Sequence, residues 1–284
     1  MINQDKNLCA REVGPTILTY HALGSRRDAV TTDPGVFART IEALVAHGNR
    51  CVDLSEWVAA GRPRLAKTFA IAFDDGYRSI ALAADSLVRF KLSATVFLVT
   101  GFMSRGSNRN ARPSWMRDEP ILDWTEAREL TSAGFRFASH TKSHPNLKLC
   151  KYDQISEELI ESKSTIEDRL ARACDLFAYP FGASNALTRR AVSENYAAAF
   201  GVRLDIARQG DDRFDLPRVD AYYIRTDRMI DRLARGEIEP ALALRRPPRA
   251  LKAHAKAWIE SIRNRSTVSI RHRPDESIIS TCSQ

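Results

Sequence analysis

Phe69-Ala-Ile-Ala-Phe-Asp-Asp-Gly76 is an unbroken apolar run that ends in two adjacent carboxylates and a glycine. Five consecutive apolar residues suit a strand buried on both faces, as in parallel sheets covered by helices. Placing two carboxylates at the end of such a strand is expensive unless they are used. Neighbouring strand residues point to opposite sides, but a turn at Gly76 can bring Asp74 and Asp75 to one mouth. The bland reading of the same residues is an Asp-Gly turn with a helix cap, and the segment alone leaves both open.

On either side of this run, strands alternate with helices. Thr16-Ile-Leu-Thr-Tyr20 reads as a strand, as do residues 94–99, 135–139, 176–179, 197–201 and 216–219. Asp33-Pro34 offers an N-cap followed by proline at the first helical position. Phe37, Ile41, Leu44 and Val45 follow at helical spacing, and Gly48 suits the stop. Further helices are predicted from about Arg78 to Phe90, from a cap at Thr125 to near Gly134, over residues 153–171, and after a cap at Asn185. Such alternation implies an α/β fold, a parallel sheet with helices outside it. No Gly-x-Gly-x-x-Gly or Walker-type loop occurs, which weakens the nucleotide-binding options. His21, Asp74, Asp75 and His140 each follow a predicted strand directly. In a parallel barrel those ends all open onto one face, so a barrel is preferred to an open sheet.

Composition agrees with a large folded domain. The chain has 284 residues, 44% hydrophobic and 27% charged, with a net charge of +8. Disulfide scaffolds, collagen-like repeats and disorder over the full length are excluded. Five scattered cysteines (Cys9, Cys51, Cys150, Cys174, Cys282) include no Cys-x-x-Cys pair, so neither a disulfide framework nor a cysteine metal cage is indicated. Asp5, Lys6, Arg11 and Glu12 make the first residues unlike a secretory signal, and no run reaches the ~18 apolar residues of a membrane span. Reduced thiols in a cytoplasmic protein are therefore expected. Residues 241–284 hold nine basic and three acidic residues, a net of +6 that leaves +2 on residues 1–240. With Trp258 as its one aromatic residue and no nucleic-acid-binding motif, this tail reads as a solvated, partly disordered extension without specific nucleic-acid binding. Arg245-Arg-Pro-Pro248 marks a linker. The domains expected are thus a catalytic unit over 1–240 and a basic tail over 241–284.

Two further segments carry chemistry. In Ser139-His-Thr-Lys-Ser-His-Pro145, two histidines four apart lie on one side of a helical turn, a spacing that suits two ligands of one metal. An isolated pair is more often a pair of surface or core histidines. Here both follow a strand end, with a carboxylate on the same face. A His, His, Asp set leaves coordination positions open for water and substrate. In Tyr179-Pro-Phe-Gly182, proline and glycine fix a loop whose exposed backbone N–H can donate to an oxyanion. By itself this third segment reads equally as a plain turn.

Phe-Asp-Asp-Gly at 73–76, Ser-His-Thr-x-x-His-Pro at 139–145 and Tyr-Pro-Phe-Gly at 179–182 occur in the order and approximate spacing of the polysaccharide deacetylase family. The chain resembles that family, the NodB-homology or carbohydrate esterase family 4 group, from about Ile17 to Ile224. Tyr20-His21 after the first strand is similar to the branch that includes exopolysaccharide deacetylases. The resemblance implies a deformed (β/α) barrel of about seven parallel strands. It implies a divalent metal, usually zinc, with cobalt, manganese or ferrous iron as alternatives. It also implies hydrolytic removal of acetyl groups from an N-acetylated sugar, oligosaccharide or polysaccharide precursor. On the matching positions, Asp75, His140 and His144 take the place of the metal ligands and Asp74 that of the general base. The Phe181 N–H takes that of the oxyanion donor.

Two positions depart from the pattern. Many members carry an arginine two residues before the proline of the third motif, where this chain has Ala178. Many also have a late Leu-x-His motif supplying a general acid, whereas the histidines after His144 here are His254 and His272 in the tail. His21, on the expected active face, is the candidate acid, with a substrate-contacting or structural histidine as its other reading. Arg218, at a predicted closing strand, is expected to reach across the mouth to Asp74 in place of the missing arginine. An O-acetyl esterase using the same machinery, or a non-catalytic carbohydrate-binding relative, are the alternatives to N-deacetylation.

Overall fold

The computed structural model of the protein describes residues 13–103, 112, 116 and 119–245. Within it, β1 (Thr16–Tyr20) and β5 (Thr68–Phe73) run side by side in parallel, from Thr16 opposite Phe69 to Tyr20 opposite Phe73. β5 continues through β6 (Ala94–Leu98), β7 (Phe135–Ser139), β8 (Leu176–Ala178), β9 (Ala198–Leu204) and β10 (Leu216–Asp220) back to β1. Every neighbouring pair is parallel, which closes a seven-stranded barrel. A two-residue strand, β4 (Arg50–Cys51), shares the β6 edge of β5 at its start. Two more short pieces, β2 (Ala22–Leu23) and β3 (Thr31–Thr32), pair with each other beside the barrel.

The strands read as continuous apolar runs because both faces are covered. Inside the barrel, Ile17, Ala70, Ala72, Ala138, Ala178 and Ala198 leave room for Phe97 and Phe200, whose rings lie 5.5 Å apart. Small and large residues thus fill the interior together. On the outer face, Tyr20 meets Phe37 of α1 (Pro34–Ala46) at 5.1 Å and Phe73 at 5.5 Å. α1 forms as expected: Asp33 accepts from the Val36 N–H, Pro34 occupies the first turn, and Gly48 follows in the left-handed region.

Other elements differ from expectation. Leu54–Ala59 forms α2, capped by Asp53, and its Leu54, Trp57 and Val58 join the interior cluster. Nothing in the reading of the sequence placed a helix there. Residues 78–83 form a 3-10 helix, and only then does α3 (Ala84–Phe90) begin. α4 (Trp124–Leu130) is capped by Asp123, not Thr125: the Asp123 carboxylate accepts from Thr125 and Glu126 N–H while Glu126 reaches back to the Asp123 N–H. A carboxylate with a partner three residues on out-competes the hydroxyl for the cap. α5 (Tyr152–Leu170), α6 (Ala186–Ser193, capped by Asn185) and α7 (Asp227–Ala234) complete the outer layer. The barrel unit runs to Glu239. Among the described residues no helix is long and apolar enough to cross a membrane. The basic stretch at 246–284 lies outside the described residues.

Candidate active site at the barrel mouth

The Asp74 N–H donates to the Tyr20 carbonyl at 2.9 Å, carrying the β1–β5 ladder one residue beyond the strand. The chain then turns sharply, with φ of 71° at Asp75 and 70° at Gly76. Two successive left-handed residues swing both carboxylates toward the mouth instead of to opposite faces. Asp tolerates that region better than most residues, at a cost of about 1–3 kcal/mol held by the surroundings. Gly76 suits this turn because a side chain at its φ of 70° is strained, and a Cβ there would also press on Leu98 Cδ2 at 2.9 Å. Asp74 and Asp75 are both buried.

The histidines come from the neighbouring sector. The His140 N–H donates to the Leu98 carbonyl at 2.9 Å, extending the β6–β7 ladder. Residues 140–144 form an irregular loop rather than the expected helical turn, with φ of 72° at Thr141 and 58° at His144. Side chains hold this conformation in place of helical hydrogen bonds. Thr141 Oγ1 accepts from the His144 N–H at 2.9 Å. From α5, the Glu158 carboxylate accepts the Lys142 and Ser143 N–H groups, both at 2.8 Å, and the Ser143 hydroxyl at 2.5 Å. The Ala178 carbonyl lies 2.7 Å from His140 Nδ1, so that nitrogen donates and Nε2 is left bare toward the mouth. Burial lowers the His140 pKa to about 4, which keeps the ring neutral and ready to ligate.

Asp75 Oδ1 lies 3.5 Å from His140 Nε2 and 3.4 Å from His144 Nε2. One donor atom from each of the three residues falls within 4.8 Å of the other two, and all three residues are buried. Ligand bonds of about 2.0–2.2 Å in tetrahedral arrangement put neighbouring donors about 3.3–3.6 Å apart. The oxygen-to-nitrogen separations therefore match two edges around a single zinc-sized ion, and the donor types fit it. Burial pushes the Asp75 carboxyl up, but the His144 hydrogen bond and the three nearby imidazoles outweigh it and hold it well below the carboxylate range.

Asp74 is engaged differently. The two terminal nitrogens of Arg218 donate to its two oxygens at 2.7 and 2.8 Å, and Arg218 Nε donates to the Gly201 carbonyl at 2.9 Å. This is the bidentate fork expected of an arginine replacing the one absent at Ala178. Burial raises the Asp74 pKa, yet Arg218, then His140 and His21, bring it below its ordinary value. His21 Nε2 stands 4.0 Å from Asp74 Oδ2, with a quarter of its side chain exposed. The Gly201 carbonyl is offered by an irregularity: Leu216 is level with Phe200, but Arg218 is level with Leu204. A Cβ at Gly201 would meet Asp215 Oδ1 at 2.2 Å. Glycine inside a strand is the sequence signal for such a bulge.

Phe181 sits at φ 58° in a short 3-10 turn after β8; the residue is 46% exposed and its ring stands edge-on to His144 at 4.6 Å. Gly182 follows at φ 63°, where a Cβ would strike Val202 Cγ2 at 2.2 Å. The structure thus gathers Asp74, Asp75, His140, His144, Arg218 and His21 into one mouth, with Phe181 at its rim. Three contributors escaped the sequence reading. Tyr77, buried beside Asp75 and hydrogen-bonded to it, has its phenol pKa pushed up by burial and then by that carboxylate. Its place directly after the Asp-Asp-Gly segment was a usable signal. Glu158 and the Ala178 carbonyl carried none, because a helical glutamate and a strand alanine look like any others.

Residues 61–199 match the sequence profile of the polysaccharide deacetylase family. No functionally curated protein matches the chain. Among solved structures it is similar to IcaB from Ammonifex degensii, with a TM-score of 0.67 and 22% identity over 80% of this chain and 98% of that one. It is also similar to the deacetylase PplD from Streptococcus pyogenes, solved with acetate, with a TM-score of 0.65 and 21% identity over 74% of this chain and 92% of that one. A polysaccharide deacetylase from Bacillus cereus gives a TM-score of 0.64 and 21% identity over 74% of this chain, which spans 65% of that protein. At these identities the likeness establishes a shared fold.

Proposed function

From the premise that the chain carries a polysaccharide deacetylase domain across residues 61–199, we propose that it is a metal-dependent hydrolase. It removes acetyl groups from the nitrogen of an N-acetylated sugar, oligosaccharide or polysaccharide precursor. The observation that carries the reading is the pairing of two carboxylates with separate tasks: Asp75 closes a buried donor set with His140 and His144, while Asp74 is clamped by Arg218.

Asp75, His140 and His144 would hold one divalent ion, zinc before cobalt, manganese or ferrous iron. When bound, that ion acidifies water and polarises the acetyl carbonyl. Asp74 takes the proton of the attacking water, and Arg218 fixes its rotamer and keeps it ionised for that purpose. The Phe181 N–H donates to the oxygen that gains charge. The departing nitrogen needs a proton, and His21, beside Asp74 at the open side of the mouth, is the candidate to deliver it. Acetate and a free amine are the products.

The test is acetate release by the full chain, with and without added zinc, from N-acetylated sugars, chito-oligomers and O-acetyl esters. Release from N-acetyl substrates, lost on chelation and restored by zinc, supports the reading. Release from esters alone would assign O-deacetylation instead, and release from none would remove the enzymatic reading.

A further inference from the structure

Asp75 makes one contact that the deacetylation chemistry above does not use. Tyr77, two residues further on and 1% exposed, is hydrogen-bonded through its side chain to the Asp75 carboxylate. An ionised carboxylate only accepts, so the phenol is the donor. A phenylalanine would fill the same volume, and a buried phenol is costly without a partner. The hydroxyl therefore has a purpose beyond packing, and its acceptor is the residue placed to hold a metal. Glu119 is the other carboxylate that acts on the phenol, and Arg26 stands 3.9 Å from it.

The tyrosine is held on both sides. The Leu122 N–H donates to the Gly76 carbonyl at 3.0 Å, the Arg78 N–H donates to the Pro120 carbonyl at 2.8 Å, and Tyr77 itself bridges Ile121 in the antiparallel sense. Arg78 Nε donates to Glu126, the same carboxylate that closes the cap of α4. The chain between β6 and β7 thus clamps the tyrosine backbone, which is ordinary extended chain at φ −60° and ψ 139°. Asp75 lacks such a fixture of its own. The torsion that turns an aspartate carboxylate is soft, so burial alone does not decide which oxygen faces an ion. In this structure Oδ1 is the oxygen that stands 3.5 Å from His140 Nε2 and 3.4 Å from His144 Nε2.

We propose that Tyr77 is a positioning residue of the metal site: its hydroxyl ties down the Asp75 carboxylate so that Oδ1 alone is offered alongside the two imidazoles. The inference deepens the deacetylase reading and rests on it for Asp75 as a ligand. Its consequence is a preference among ions. One carboxylate oxygen with two imidazole nitrogens suits four-coordinate zinc, whereas manganese, which seeks more oxygen ligands, is denied the second oxygen.

Metal binding to the full chain tests it, by titrating the metal-free protein with zinc, manganese and cobalt. Tyr77→Phe removes one oxygen and keeps the ring, so the metal-free variant should melt within about 4 °C of wild type. Its zinc affinity should fall about 10–100-fold, with a smaller loss for manganese, and the visible absorption of bound cobalt should weaken as the freed oxygen raises the coordination number. Unchanged zinc affinity overturns the inference. So does an equal loss for zinc and manganese with the cobalt band unaltered, which would make Tyr77 a packing residue. Should Tyr77→Phe fail to fold, the wild type decides: saturating zinc should perturb the near-ultraviolet tyrosine band, and a flat difference spectrum, or one equally present in His144→Ala, overturns the assignment. A wild type that binds no zinc does the same. Zinc binding that depends on Tyr77 in this way, in a protein releasing no acetate, would leave the inference standing and remove the deacetylase reading.

Discussion

Asp74 and Asp75 are adjacent in sequence and have different partners, so single substitutions separate their roles. His144→Ala removes one of three buried donors, and a site with so little redundancy should lose both zinc and turnover. Full zinc occupancy by elemental analysis in that variant would break the ligand assignment. Asp74→Asn leaves the donor trio whole; it should retain zinc and lose roughly 10²–10⁴-fold in kcat, the usual worth of a positioned base. Zinc lost together with rate would make Asp74 a ligand. Arg218→Lys keeps the charge and forfeits the fork, because an ammonium cannot make two parallel hydrogen bonds. A fall of about 10–100-fold in kcat is expected, the worth of one charge-assisted bond. Unchanged steady-state kinetics would show that the 2.7 and 2.8 Å contacts with Asp74 do not serve the chemistry. Arg218 was legible because a bare carboxylate beside Asp75 needs a cation, and a closing strand returns next to the first. Tyr77 was not sought, since Asp75 already had its histidines.

The strand ends were the most legible elements, because continuous apolar runs stop where the polar site residues begin. Residues 135–139 and 16–20 form strands over the full predicted spans. β9 reaches Leu204 instead of ending at 201, because a bulge carries it past Gly201 into exposed Val202 and Arg203, where apolar pattern gives no guide. α2 was missed for a related reason. Six residues are too few for a helical period, and only the Asp53 cap and the burial of Trp57 reveal it. The histidine loop shows what spacing conceals: its i, i+4 pattern imitates a helix, yet Glu158 on α5 holds two of its N–H groups in an irregular loop. If Asp75, His140 and His144 hold the proposed metal, α5 carries a measurable share of its affinity. Glu158→Ala should weaken zinc binding about 10–100-fold, as loss of a group orienting ligands does. Glu158→Gln keeps an acceptor oxygen and should recover most of it. Equal zinc dissociation constants for wild type and Glu158→Ala, from competition with a chromogenic chelator, would assign the loop's geometry to Thr141 and the left-handed backbone alone.

At the scale of the molecule, parallel strands with all polar residues at one end pointed to a barrel, and the count of seven is met by β1, β5, β6, β7, β8, β9 and β10. What no pattern conveyed was the packing that makes seven strands close. Phe97 and Phe200 fill the interior opposite a ring of alanines, so the barrel depends on a few large side chains. Phe97→Ala should therefore destabilise the fold by about 3–5 kcal/mol, read as a lowered denaturation midpoint. A loss under about 1 kcal/mol would mean that the strands collapse into the vacated space. The Phe97 ring centroid also lies 5.7 Å from the Arg218 guanidinium, so the interior packing reaches the residue that holds Asp74. The Asp74–Arg218 contact spans 144 positions of sequence. A ribosome releases the N-terminal half first, so Asp74, Asp75, His140 and His144 emerge well before the guanidinium that restrains Asp74. During that interval two neighbouring carboxylates repel each other, and Asp74 has no fixed direction. Arrival of β10 closes the wall and arms the carboxylate in one event.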